Sequence, residues 1–188
     1  KKKTDLDSVK SSSNGFYLKY LENQEYIDLE RISKSFPNTL MFSPKGNFIA
    51  YYTEKQWWVY DIQKRLHTCI TCSISSDFYN EHYDKPGNIP PAAPAWWASD
   101  DSSLFLSDTY DVWQFTTNGT FSKRITKGKE VDKVYRIYES QLPSPPKASY
   151  YGFQTRVVQK HAKQLLFVKD LTTLGTGFAI MDVNLHVT

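Results

Sequence analysis

Cys69-Ile70-Thr71-Cys72 has the C-x-x-C spacing of redox centres and zinc knuckles, and His67 and His82 could complete a four-ligand set. A redox C-x-x-C opens a helix, whose dipole lowers the thiol pKa. This segment instead reads as the closing strand of a sheet, so structural cysteines are the expectation and no metal or cofactor is assigned. Between Asp77 and Asp111 stand Asp77, Glu81, Asp84, Asp100, Asp101, Asp108 and Asp111 against one base, Lys85. Such a surplus could hold calcium or a peptide amino terminus. The D-x-[DN]-x-[DN]-G loop spacing is absent, however, and Asp in tight turns caps backbone donors, so turn-capping carboxylates are expected. His67, His82, His161 and His186 lie far apart with no adjacent partner to make any of them a catalytic base. No G-x-S-x-G nucleophile elbow occurs among the eight glycines, and no catalytic residue is assigned.

Three further patterns have a plain explanation beside the chemical one. Lys123, Arg124, Lys127, Lys129 and Lys133 form a basic cluster broken by Glu130 and Asp132. Strand alternation would scatter these charges, which predicts a solvated rim and no nucleic-acid groove. Trp57, Trp58, Trp96, Trp97 and Trp113 could stack on sugars, but neighbouring residues of a strand point to opposite faces, and packing between sheets accounts for both members of each pair. Asn118-Gly119-Thr120 matches a glycosylation acceptor and equally a two-residue hairpin turn, which explains it without a glycan.

The elements that must carry these residues are strands. The chain has 188 residues, 15% of them aromatic, and a formal net charge of +3, a balance that excludes disorder and gives no electrostatic reason for a nucleic-acid or membrane partner. No run approaches the roughly 20 apolar residues of a membrane-spanning helix, so no membrane span is expected. The first residues, Lys1 to Lys3, carry the charge of a signal peptide's front end without an apolar region behind it. They begin either a cytosolic chain or one downstream of a removed segment.

Helical periodicity is hard to find, while short β-branched and aromatic runs recur between Gly, Pro, Asn, Asp and Ser. Phe16–Leu21 and Glu25–Leu29 read as a hairpin with a turn longer than two residues. An internal repeat is more informative. Phe42–Tyr51, Trp58–Asp61 and Leu66–Thr71 align with Ala98–Ser107, Trp113–Phe115 and Arg124–Thr126 at an offset of about 55 residues. Each copy reads as a polar turn, an apolar strand, a strand centred on Trp, another turn, and a strand ending in Thr.

That is one four-stranded antiparallel sheet with two apolar faces, and such sheets bury both by stacking around an axis as a β-propeller. A weaker third copy spans Gln164–Val168 and Gly177–Val183. The expected fold is all-β, an incomplete propeller of about three blades. Residues 1–15 form a flexible segment, and the blades fall roughly at 16–36 (partial), 37–76, 94–138 and 150–188. Trp58, Asp61, Trp97, Asp111 and Trp113 are its structural blade residues. Two Pro-rich stretches, Asp77–Pro94 and Ser140–Ser149, interrupt the ladders as surface excursions.

The residues also carry a family resemblance. Ser43-Pro44-Lys45-Gly46-Asn47 and Trp57–Ile62 resemble the blade pattern of the N-terminal propeller in prolyl oligopeptidase family serine peptidases. Phe78–Asp84, Ala95-Trp96-Trp97, Asp100-Asp101 and Asp108–Gln114 are similar to the variant in large secreted bacterial members. The resemblance covers roughly Phe16–Val183 and is most specific from Phe78 to Trp113.

It implies a filter that admits peptide substrates to an α/β-hydrolase domain not present in this chain, and a periplasmic, outer-membrane-associated or secreted location. Some members bind the substrate's amino terminus through paired glutamates on a propeller helix, and no matching helix or pair is evident here. The chain is then expected to be a part of a longer polypeptide, with poor stability alone. The alternative is a non-catalytic propeller that serves as a protein-binding platform through its exposed loops. A third reading is a carbohydrate-binding propeller that uses an exposed Trp97.

Overall fold

The computed structural model describes residues 15–36, 38–139 and 155–183. The chain divides into two units between Ser35 and Phe36. In the first, β1 (Tyr17–Lys19) and β2 (Tyr26–Asp28) pair antiparallel in the register Leu18↔Ile27, as the hairpin reading expects. The connection is longer than two residues, and Asn23 Oδ1 accepts the Glu25 amide within it. A single helical turn, α1 (Glu30–Ser33), follows. The Ser33 hydroxyl accepts the Phe16 amide at 2.7 Å and so ties the turn back to the hairpin.

The described residues of the second unit form three sheets. The first is a meander of β3 (Met41–Phe42), β4 (Phe48–Thr53), β5 (Gln56–Asp61) and β6 (Leu66–Cys69), each strand antiparallel to the next. The second repeats that order with β7 (Trp96–Ala98), β8 (Ser103–Ser107), β9 (Val112–Thr116) and β10 (Ser122–Arg124). The third begins with β11 (Lys133–Ile137). After β12 (Val157–Val158), which pairs parallel with β7, come β13 (Lys163–Asp170) and β14 (Thr176–Asp182) to complete a three-stranded antiparallel sheet. β11, which a boundary at 138 groups with the second blade, pairs with β13 over five residues and so belongs to the third sheet.

Side-chain alternation shows how the sheets stack. From the second sheet, Trp97, Leu104, Leu106 and Phe115 join Met41, Ala50, Tyr52, Trp57 and Val59 of the first in one buried core. Ala98, Phe105 and Val112, one step out of phase, join Leu166 and Met181 of the third sheet in a second core. Successive residues point to opposite faces of a strand, so the second sheet lies between two neighbours and buries both faces. The first two sheets share a four-stranded antiparallel meander, the second with β12 added as a parallel fifth strand, and the third has three strands; meanders stacked face to face in chain order are propeller blades, and the architecture is an all-β, open β-propeller.

Local backbone geometry fixes the registers. The β4–β5 hairpin turns through Glu54 and Lys55, both at positive φ (54° and 62°), with Thr53 opposite Gln56. This is the two-residue geometry that matches strand twist, made here without glycine. The β9–β10 connection departs from the two-residue expectation. The Thr116 amide donates to the Phe121 carbonyl, leaving residues 117–120 as a four-residue loop. Asn118 Oδ1 accepts from the Thr116 and Thr120 hydroxyls and the Thr120 amide, and these side-chain bonds favour the wider turn. Gly119 stands at φ +70°, and a Cβ there would lie 3.1 Å from Thr68 Cγ2 of the first sheet, so the loop needs glycine both for its conformation and for its close approach to β6.

Candidate functional site

Of the residues singled out in the sequence, Trp97 is fully buried and stacks on Phe48 across the first two sheets at 6.3 Å with a 19° interplanar angle. It cannot reach a sugar, which removes it as a carbohydrate platform. Trp58 is half-buried, facing away from that core and lying parallel to Tyr51 at 6.5 Å. Asp61 ends β5, and its Oδ1 accepts the Lys64 amide at 2.8 Å, capping the β5–β6 turn. Asp170 plays the same part in the third sheet for the amides of Thr172 and Thr173.

Asp111 and Trp113 come together with Asp108, one of the carboxylates expected to cap a turn, whose bonds to Trp113 and Ser76 no sequence pattern marks. Asp108 Oδ1 accepts the amides of Tyr110 and Asp111, and its Oδ2 accepts Trp113 Nε1 at 2.7 Å and the Ser76 hydroxyl at 2.6 Å. Asp111 is buried at 1% exposure. Its Oδ1 takes the Thr126 hydroxyl at 2.6 Å and the Gly128 amide at 2.5 Å, and Arg124 stands 3.6 Å from its Oδ2. Arg124 also bonds Glu130, so this part of the basic cluster is neutralised locally.

Gly128 completes the knot, because a Cβ there would meet the Lys133 carbonyl at 2.2 Å and the Tyr110 carbonyl at 3.0 Å. Arg136 donates to the carbonyls of Tyr135 and Thr109. Burial pulls its guanidinium pKa down, against the pull of Asp108 and Asp111 upward. Each carboxylate is occupied by donors of its own chain, which makes this a structural node rather than a reaction centre.

Asp101, Asp100 and Glu81 of the acidic stretch are similarly engaged. Asp101, 3% exposed and at φ +65°, accepts the Ser43 hydroxyl (2.7 Å), the Lys45 amide (3.0 Å) and the Asn47 side-chain amide (3.1 Å), joining equivalent turns of consecutive blades. Asp100 faces Lys160 at 2.6 Å. Burial alone would push its carboxyl up, but hydrogen bonds from Lys160 and Ser102 prevail and hold it at about 2. Glu81 accepts the Thr109 hydroxyl at 2.8 Å. Cys69 and Cys72 are joined in a disulfide, so neither thiol is a ligand or a nucleophile. Among the described residues no cluster of three or more His, Cys, Asp or Glu has a metal-binding arrangement.

The Pro-rich excursion is more than a surface loop. Phe78, 1% exposed, inserts into the core between the first two sheets and meets Trp113 and Phe115 edge-on. Backbone bonds from Asn80 to Pro90 and from Ala92 to Phe78 fold the loop back on itself. The other Pro-rich stretch, Ser140–Ser149, lies outside the described residues.

Beside the returning limb of the loop is a cavity of about 360 Å³, within the range of small-ligand sites. It is lined by Met41 and Trp57 of the first sheet, by Pro91, Pro94 and Ala95, and by Arg156. The segment that brings Arg156 there bridges the blades. The Thr155 hydroxyl donates to the Phe42 carbonyl at 2.8 Å, while the Arg156 carbonyl accepts the Trp97 amide at 2.8 Å. Neither Trp57 nor Arg156 is marked as a cavity residue by any sequence motif.

The stacked blades define the class, an open β-propeller without a catalytic constellation among its described residues. No protein-family model matches the chain, and no curated protein matches it. Among solved structures it is similar to a putative TolB from Agrobacterium tumefaciens, at 12% identity and a TM-score of 0.38, over 93% of this chain and 59% of that one. It is also similar to the tricorn protease, at 12% identity and a TM-score of 0.21, over 92% of this chain and 20% of that one. The chain therefore spans less than two thirds of either structure. No helix among the described residues is long and apolar enough to cross a membrane.

Proposed function

We propose that this chain is the propeller part of a prolyl-oligopeptidase-like serine peptidase and controls peptide access to an α/β-hydrolase domain carried elsewhere. The observation that carries the reading is the coincidence of the family-like segment, Phe78 to Trp113, with one continuous structural unit. Its plug (Phe78), inter-blade indole (Trp97) and turn staple (Asp101) pack the first two blades together, and its buried node (Asp108, Asp111, Trp113) fixes the turns that flank the second. A blade stack whose buried carboxylates are held by donors of its own chain suits a filter, which must be rigid and chemically inert.

The disulfide supports an oxidising compartment, such as the periplasm or the cell exterior, since such bonds are rare where thiols are kept reduced. The test is labelling of the natural full-length protein at serine by a fluorophosphonate probe, together with hydrolysis of short peptides. Absence of both defeats the reading.

One observation favours a second reading, a protein-binding platform. The face of the third sheet turned away from its core carries Phe178 and Ile180, 61% and 67% exposed, beside Leu165. A contiguous apolar patch of this kind suits a protein contact. A stable partner that survives high salt, together with an absence of peptidase activity, would favour it.

A further inference from the structure

We propose that the cavity between the first two blades is a binding site for an apolar monocarboxylate, about the size of one aromatic residue with a free carboxyl group. The lining sets the chemistry. Its floor and walls are mostly apolar, with Met41, Pro91, Pro94, Ala95 and the Trp57 ring, and Asn38 and Thr39 add neutral polar groups. The indole of Trp57 is 1% exposed, and its Nε1 is buried with no hydrogen-bond acceptor among the described residues. A buried donor left unpaired is costly, and a ligand that brings an acceptor removes the cost.

Arg156 is the one ionisable side chain in the lining, so a bound charge must be negative. Its Nε is held by Glu139 Oε2 at 3.3 Å, and no partner for its two Nη groups occurs among the described residues. That pairing orients the guanidinium and leaves its fork for a carboxylate, the anion whose planar geometry it matches. The one charge the site offers is positive, set beside a largely apolar body, and it selects an apolar acid over its neutral isostere. The inference is independent of peptidase activity.

The experiment compares 3-phenylpropionate with 3-phenylpropionamide, titrated into the full chain by calorimetry and by NMR of the indole N–H resonances. The chain has five tryptophans, and the Trp57 signal is assigned by its loss in Trp57→Phe. The acid is expected to bind at least about tenfold tighter than the amide, since one partner of the new contact is charged. It should move the Trp57 N–H signal downfield. Arg156→Gln should abolish the preference for the acid, Trp57→Phe should weaken both ligands about threefold while keeping it, and Glu139→Gln should strengthen the acid alone by freeing Arg156. The other indole signals report that each variant is folded, and if Trp57→Phe fails to fold, the Arg156 and Glu139 variants decide. Equal binding of acid and amide, no saturable binding of either, or an acid preference that survives Arg156→Gln overturns the proposal.

Discussion

Replacing Asp101 should do more damage than replacing any exposed acid, because this carboxylate holds two blades by three donors at 2.7, 3.0 and 3.1 Å. A hydrogen bond to a charged acceptor contributes about 1.5 to 3 kcal/mol. The three do not simply add, because water can re-satisfy the part-buried donors of Lys45 and Asn47 once the carboxylate is gone. The Ser43 hydroxyl, buried at 4% exposure, cannot be rehydrated in the same way. Loss of the carboxylate therefore costs about 3 kcal/mol.

Asp101 also stands at φ +65°, where Asp is tolerated and Ala costs about 1 kcal/mol more. Asp101→Ala is expected to destabilise the chain by about 4 kcal/mol, and Asp101→Asn, which keeps one acceptor and the backbone preference, by about 1 to 2. Urea unfolding followed by tryptophan fluorescence measures both. A double-mutant cycle with Ser43→Ala should return a coupling of about 1 to 2 kcal/mol. A loss below about 0.5 kcal/mol for Asp101→Ala, or no coupling to Ser43, would show that the turn staple does not hold the blades together.

Four further outcomes follow from the same structure. Asp100, held at about 2 against an ordinary 3.8, takes up its proton only below the value of the unfolded chain. Its stabilising contribution is thus full above about pH 4 and lost between about pH 4 and 2; Lys160→Met should flatten acid unfolding across that window, and an unchanged profile refutes the pair. Trp113→Phe removes the 2.7 Å bond to the Asp108 carboxylate and should cost about 1.5 to 3 kcal/mol by denaturant unfolding, whereas a neutral result would show that Ser76 and the two amides suffice. Gly128→Ala must displace the Lys133 carbonyl, so it should exceed the roughly 1 kcal/mol typical of a point substitution and shift the β11 resonances. Reduction of Cys69–Cys72 opens only a short loop, which limits the expected loss to about 2 kcal/mol by thermal unfolding with and without reductant.

What was legible in the sequence is the part that repetition encodes. The offset near 55 residues marks the first two sheets because Ser43 and Asp101 lie in equivalent turns, and because Trp58 and Trp113 lie in the third strands of their meanders. The facing of Trp96 and Trp97 follows from strand alternation alone, and the two cores receive one each. Less of the third sheet was legible. Its first strand, Lys133–Ile137, is charged at Lys133 and Arg136 and reads as the end of the previous blade, while its partner Lys163–Asp170 follows a long excursion. Pairing across such a gap is decided by burial of Ile137 and Leu166 in a common core, which no local pattern records.

The candidate site illustrates the same limit more sharply. Asp61 is readable as a blade residue because its role is local, an amide three positions on. Asp108, Gly128, Trp57 and Arg156 act across 5 to 99 positions of chain, through a Trp113 indole bond, a close backbone approach and a shared cavity wall. Gly128 and Arg156 are ordinary in strands and turns, so nothing in spacing or composition distinguishes them from neighbours, and Asp108 and Trp57 are readable as a turn cap and a packing indole but not as parts of these longer-range contacts. The cavity exists because the Thr155–Val158 segment bonds to Phe42 on one sheet and to Trp97 on the next, and so holds an arginine over a proline-walled gap that two regular blades would have closed. Function in a stack of near-identical sheets is thus sought where the repeat fails, since side chains that obey it are already committed to their neighbours.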